Sequence, residues 1–237
     1  MITVHDLSPN VEVRAEPTPP SLPDLLLAKV AALWDAEKAR RGVQLFDGLV
    51  FSVVSLAPER ITGHFAPYRH LIAQRASPDL FAALRVRPLG VSGVLVSSDG
   101  VVFGRRAAWV TDNAGCWELV PSGSIDPECV EGSGRVSLHR QTLAELTEEV
   151  GLVAKDVTVS DPFCAIESDE THIVDIGMTL TTSLTKGEVR VRQARLVRPE
   201  YSELAIVTTS EIPRFTATRG ASLVEVSRAL LRRKGLL

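Results

Sequence analysis

The chain has 237 residues, 45% of them apolar and 23% charged, with a formal net charge of −3. That length is generous for one domain and short for two full ones, and the charge balance gives no sign of a nucleic-acid or acidic-membrane partner. Three cysteines without CxxC or Cys/His spacing argue against a secreted disulfide framework and fit a reducing cytoplasm, and the opening MITVHDLSPNVEVRAEP shows no leader pattern.

After a Pro-rich stretch the sequence predicts a helix that opens near Ser21 and Pro23, carries the apolar stripe Leu26, Val30 and Leu33, and ends at Gly42. LFDGLVFSVVSLAPERITGHFAPYRHL predicts two strands around an Ala57-Pro58 turn, then a helix over 68–85. Residues 1–88 therefore read as an N-terminal α/β extension and 89–237 as the main domain. The main domain begins with a strand over 90–98, an Asp99-Gly100 turn, a strand over 101–106 and a short strand over 117–123. A Gly-, Pro- and acid-rich loop over 124–135, with Asp126, Glu128 and Glu131, has the make-up of a movable lid. It leads into a helix over 136–150 whose buried stripe is Leu138, Leu143, Leu146 and Val150, with Gly151 as the residue just past its end. Further strands fall within 154–167, 171–184 and 201–212, and an amphipathic helix over 221–234 closes the chain.

The stretch LAELTEEVGL within that helix poses a physical question. Glu145, Glu148 and Glu149 stand at i, i+3 and i+4, on one face, with no Lys or Arg one turn away. Two of them sit in the last turn, where the helix dipole disfavours negative charge. A hard divalent cation, Mg²⁺ or Mn²⁺, takes such oxygen ligands together with substrate phosphates, and backbone carbonyls near Ser122 and Gly123 precede the helix. The alternative is an acidic face that simply meets water.

PSG followed by AELTEEVGL resembles the Nudix hydrolase box, G-x5-E-x7-R-E-U-x-E-E-x-G-U, matched here at Glu145, Leu146, Glu148, Glu149, Gly151 and Leu152. Three departures stand out. Ala144 occupies the Arg position, Cys129 occupies the first Glu position, and Glu145 lies 22 positions after Gly123 where the pattern has 15, seven more. The layout from LFDGLVFSVVSL to DGVVFGRRAAWV also looks like the UDP-glucose pyrophosphatase-like branch of that superfamily. The resemblance implies an α/β/α sandwich with a mixed sheet. It also implies Mg²⁺-dependent hydrolysis of a nucleoside diphosphate linked to another moiety, most simply a nucleotide sugar. On that reading Glu145, Glu148 and Glu149 hold the metal with the Ser122 or Gly123 carbonyl, and Glu149 or Glu200 takes the water proton alongside Glu145. Arg105 and Arg106 would bind phosphate oxygens as planar forks. The partner is then a small nucleotide, with no nucleic acid or membrane, and a homodimer through the extension is left open. The degenerate first half of the box keeps a second class in view, a catalytically inactive or weak Nudix-fold protein that binds a nucleotide metabolite.

Glu167, Asp169 and Glu170 form a competing acidic loop, and Asp175, between Val174 and Ile176, reads as a hydrogen-bonded buried acid. His139 and His172 lack ligand spacing, and Trp109 and Trp117 suit base stacking or core packing equally.

Overall fold

The computed structural model describes residues 1–16, 19, 21–41 and 45–237. The expected end of the first helix at Gly42 lies outside the described residues. Among the described residues twelve strands form a nine-stranded mixed sheet and a three-stranded sheet, with helices against both.

The chain opens with β1 (Ile2–Asp6), which the sequence reading left unassigned. It pairs antiparallel with β10 (Cys164–Ser168), so these five residues belong to the main sheet and not to the extension around them. The small sheet is β2 (Glu12–Ala15), β4 (Arg60–Pro67) and β3 (Leu49–Ala57) in that order, β3 and β4 being the hairpin expected around Pro58. Helix α1 (Asp24–Arg41) buries Val30, with Leu26 and Leu33 packed alongside. The single helix expected over 68–85 is instead α2 (Tyr68–Ala76), a 3₁₀ turn at Pro78–Leu80 and α3 (Phe81–Leu84). Pro78 explains the break: it has no N–H to donate, and it drives Ser77 out of the helical region to φ −141°.

The main sheet runs β1, β10, β11 (Val174–Thr181), β5 (Leu89–Ser97), β6 (Gly100–Arg106), β12 (Tyr201–Val207), with β11 and β5 parallel and the remaining main-sheet pairs antiparallel. β9 (Thr158–Val159) pairs with β11. The strand expected over 117–123 is two strands, because Pro121 interrupts the ladder. β7 (Trp117–Leu119) pairs with β6, and β8 (Ser122–Ser124) pairs with β5. Since β5 and β6 pair only at Val96–Val101 and Ser97–Gly100, the sheet splits below their turn and a cleft opens between its halves.

Helix α4 (Leu138–Val150) covers one face, with Leu146 and Val150 fully buried among Leu89, Val91, Leu180 and Leu204. Each such side chain contributes about 1.5–3 kcal/mol on burial. Val13, Phe51 and Ile61 of the small sheet share that core. Helix α5 (Lys186–Gln193) contributes Val189 to the same face. Helices α6 (Ile212–Arg219) and α7 (Glu225–Arg233) cover the other face over Val94, Phe103 and Ile166. The α/β class with a mixed sheet between helices is thus the observed one.

Ser137 caps α4 by accepting from the Arg140 N–H, and Gly151 ends it at φ +75°. A Cβ on Gly151 would meet the Arg192 carbonyl oxygen at 2.8 Å. Gly151→Ala is therefore expected to cost about 1–3 kcal/mol, read as a lower Tm with unchanged far-UV circular dichroism.

The loop over 124–135 is not a free lid. Its far end is tied to β2: Ala15 N donates to Gly134 O at 2.8 Å, Val136 N to Val13 O at 2.8 Å, and the Arg14 guanidinium to Ser133 O. A 3₁₀ turn at Pro127–Cys129, capped by Asp126, holds its middle.

Candidate active site

α4 presents its acids to three different surroundings. Glu148 is exposed, Glu145 is half-buried, and Glu149 is only 2% exposed. The apolar stripe predicted that all three acids face away from the core, and for Glu149 this is corrected. The side of α4 that faces β8 and β12 is polar at that height: Ser122 N donates to Glu149 Oε2 at 2.9 Å, and the Tyr201 hydroxyl lies 3.2 Å from Glu149 Oε1.

Glu145 packs its carboxylate against Gly123, where a Cβ would fall 2.1 Å from it. Glycine is required there because the carboxylate occupies the space of a side chain. Gln141 Nε2 donates to Glu145 Oε1 at 2.7 Å, and Gln141 Oε1 accepts from Asp126 N at 2.8 Å, so the loop and Glu145 share one amide.

Beyond Glu149 the network continues inward. The Tyr201 hydroxyl is 2.9 Å from Glu118 Oε1, and Arg106 Nη1 donates to the same oxygen at 2.7 Å. Arg106 Nε donates to the Asp112 carbonyl at 2.8 Å, and its Nη2 lies 3.7 Å from Glu200 Oε2. Strand alternation explains the set: Arg106 and Glu118 share the face opposite Phe103, Trp117 and Leu119. By the same alternation Arg105 points away from Arg106, is exposed, and donates to the Gly115 carbonyl at 3.3 Å.

These carboxyl groups are short of positive charge. Desolvation pushes Glu145 up to about 7 against the Gln141 hydrogen bond, and Glu148, Glu200 and Asp126 push the same way. Desolvation and then the Glu118 carboxylate hold Glu149 well above the ordinary range. Glu118 is itself raised by burial, with Arg106 opposing. Burial and like charge thus make Glu145 and Glu149 hold their protons more tightly than free carboxyl groups do.

The cleft measures about 970 Å³ and is lined by Ser122, Gly123, Glu118, Arg106 and Ser92, with Asp175 on its wall. Burial and then Glu118 push Asp175 up to about 7, against a 3.4 Å contact from Ser92 Oγ. Leu49, Tyr68, Leu71 and Arg75 reach the same cleft from the extension, where Arg75 pairs with Asp112 at 3.2 Å. The acids of α4 stand behind Ser122 and Gly123 and do not line this space.

The structure therefore brings together Glu145, Glu149, Ser122, Gly123, Arg106 and Glu200, and leaves Glu148 at the surface and Arg105 on the far side of its strand. Glu118, Tyr201 and Gln141 escaped the sequence reading, although a lone Glu between Trp117 and Leu119 in an inward strand position is a usable signal. Of the competing acids, Glu167 pairs with Arg87 at 2.6 Å and with His5 at 3.0 Å, binding β1 to β10. His172 stacks on Phe81 at 3.6 Å, Trp109 lies under Arg198 at 4.0 Å, and Trp117 is buried against Phe215.

Among the described residues no group of three or more His, Cys, Asp and Glu converges as a ready-made metal cluster. The donor chemistry nevertheless fits a hard divalent ion, since Glu145 and Glu149 offer carboxylate oxygens beside the Ser122–Gly123 backbone in a strongly negative field. No helix among them is long and apolar enough to cross a membrane.

No family model matches the chain. The chain is similar to an RNA pyrophosphohydrolase of Novosphingobium aromaticivorans, 38% identical over 113 residues, which are 47% of this chain and 60% of the relative. It thus spans about three-fifths of that relative's length. Similar solved structures include a MutT protein from Methanosarcina mazei (20% identity, 61% of this chain, 90% of that one, TM-score 0.45). A Nudix-family hydrolase from Clostridium perfringens (16%, 63% and 95%, TM-score 0.41) and a Nudix hydrolase from Nitrosomonas europaea (13%, 62% and 87%, TM-score 0.42) are similar as well.

Proposed function

We propose that this chain is a Nudix-superfamily pyrophosphohydrolase that uses a divalent cation to hydrolyse the diphosphate linking a nucleoside to a second group. The observation that carries the reading is the seating of Glu149 on the Ser122 N–H and of Glu145 against Gly123, two desolvated carboxylates directly behind the residues that line the cleft. Glu145 and Glu149, with a carbonyl of Ser122 or Gly123 and with Glu148 reaching in from the surface, would hold Mg²⁺ or Mn²⁺. Bound there, the cation supplies neutralisation of the diphosphate and a more acidic water.

The chain's own residues divide the remaining work. Arg106, held by Glu118 and Asp112, fixes a positive charge at the cleft wall where negative charge grows on the phosphates. Glu200, half-exposed beside Arg106, accepts the proton of the attacking water, or Glu149 does.

We favour a nucleotide sugar as substrate, since Tyr68 and Leu71 offer apolar surface for a base or sugar while Arg228 and Arg232 bring positive charge for the diphosphate to the same cleft. The similarity to an RNA pyrophosphohydrolase favours a second reading, a pyrophosphate at an RNA 5′ end. The compartment in this proposal is the cytoplasm, with a homodimer formed through the extension.

The test is a panel of nucleotide sugars and a 5′-triphosphorylated RNA oligonucleotide, each with Mg²⁺ or Mn²⁺. We expect turnover of a nucleotide sugar and a Tm raised by the cation, which adds about 2.7 kcal/mol at a hundredfold excess over Kd. Turnover of the RNA alone would transfer the assignment to the second substrate. No turnover together with a Tm indifferent to millimolar cation would overturn the proposal.

A further inference from the structure

α4 offers Glu149 no basic neighbour, yet the carboxylate is fixed by atoms from two strands, β8 and β12. Tyr201, a fully buried side chain, reaches it from β12, and its ring lies flat on β6 because residue 104 is glycine: a Cβ there would meet ring carbons at 2.5 Å. The chain of contacts runs from the Asp112 carbonyl through Arg106, Glu118 and Tyr201 to Glu149 and ends on the Ser122 N–H, with distances of 2.8, 2.7, 2.9, 3.2 and 2.9 Å. Both ends are backbone atoms, so the side chains between them are held like links between two posts.

We propose that Tyr201, supported by Glu118 and Arg106, is a positioning residue that sets the Glu149 carboxylate for metal binding and turnover. The proposal rests on the pyrophosphohydrolase reading above. Tyr201 is itself neither in the cleft lining nor at the surface, so its effect passes through the two carboxyl groups it touches, Glu149 and Glu118. The hydroxyl has one proton for its two carboxyl neighbours, so removing it takes a partner from both and, among the described residues, leaves the Ser122 N–H on Glu149 and Arg106 on Glu118. A carboxylate held at one oxygen rotates more freely, and its share in cation binding falls.

The experiment uses full-length Tyr201→Phe and Glu118→Gln, with Mn²⁺ affinity read by electron paramagnetic resonance and kcat and KM measured at saturating Mn²⁺. In Tyr201→Phe we expect Mn²⁺ binding weakened and kcat lowered, each by about ten- to a hundredfold, as for other outer partners of metal ligands, with KM within about twofold. Glu118→Gln keeps the shape and an acceptor for Tyr201 but loses the charge partner of Arg106. It carries the same expectation at the lower end of the range, and decides the matter if Tyr201→Phe does not fold. A folded variant with a lower Tm but wild-type Mn²⁺ affinity and kcat would overturn the positioning role and leave a structural one. A wild-type chain that neither binds Mn²⁺ nor turns over any substrate would instead overturn the functional reading, and this proposal with it.

Discussion

Glu149→Gln should abolish hydrolysis to within about a thousandth of wild type while leaving the metal-free fold as stable as before or more so. The two effects have one cause. Glu149 is almost wholly buried, and an ionised carboxylate there is costly because desolvation and the Glu118 charge both oppose it. A glutamine in the same place accepts from Ser122 N through its oxygen and donates through its amide to the Tyr201 oxygen, which keeps its own proton for Glu118. The neutral side chain therefore fits the hydrogen bonds and cannot bind a cation or take a proton. Turnover and the Tm at pH 8 are the two measurements. Retention of a tenth of the activity, or a clear fall in Tm, would contradict the assignment.

The second large effect is on stability against pH. In the fold, burial raises Glu145 from the ordinary 4.5 to about 7, and Glu149 rises as well. The native state thus keeps protons that the unfolded chain has released, so these carboxyls contribute their full stabilisation below about 4.5. That contribution is lost as pH rises through about 7. Each unit of difference corresponds to about 1.4 kcal/mol, and a chain of this size loses about 2–4 °C of Tm per kcal/mol. The metal-free protein should therefore lose on the order of 5–10 °C between pH 5 and pH 8. Glu145→Gln should flatten that slope, and Mg²⁺ should raise Tm more at pH 8 than at pH 5, because the cation replaces protons. Parallel Tm curves for wild type and Glu145→Gln would rule this account out.

What could be read from the sequence follows the range of the interactions involved. α4 was legible almost to the residue, since its cap, its apolar period and its glycine stop are all local. The burial of Glu149 was not, because its partners Ser122 and Tyr201 lie 27 and 52 positions away. The Asp99-Gly100 turn was plain, whereas the crossing of residues 117–124 from one half-sheet to the other depends on which neighbour each residue finds, a fact of tertiary pairing. The single helix expected over 68–85 ran across Pro78, which is the local signal of the break. β1 offers only five residues with partners at the far end of the domain, as in the 162-position separation of His5 and Glu167. Glu200 could be placed because it closes the approach to a strand, and the structure sets it beside Arg106.

The pairing of β1 with β10 bears on how the chain can be divided. Cutting at residue 88, where the composition suggests a boundary, would strip the outermost strand and leave β10 as the new margin of the main sheet. Cys164, Ala165 and Ile166 are fully buried there, so the new margin would offer an unpaired row of N–H and C=O groups flanked by apolar side chains. Nothing charged or kinked guards it at those three positions. Such an edge recruits any other strand of matching length, including the same edge of a second molecule. The first residues of the chain thus act as a built-in barrier to self-association, and the shortened main domain would be prone to stick to itself however well its cleft were preserved.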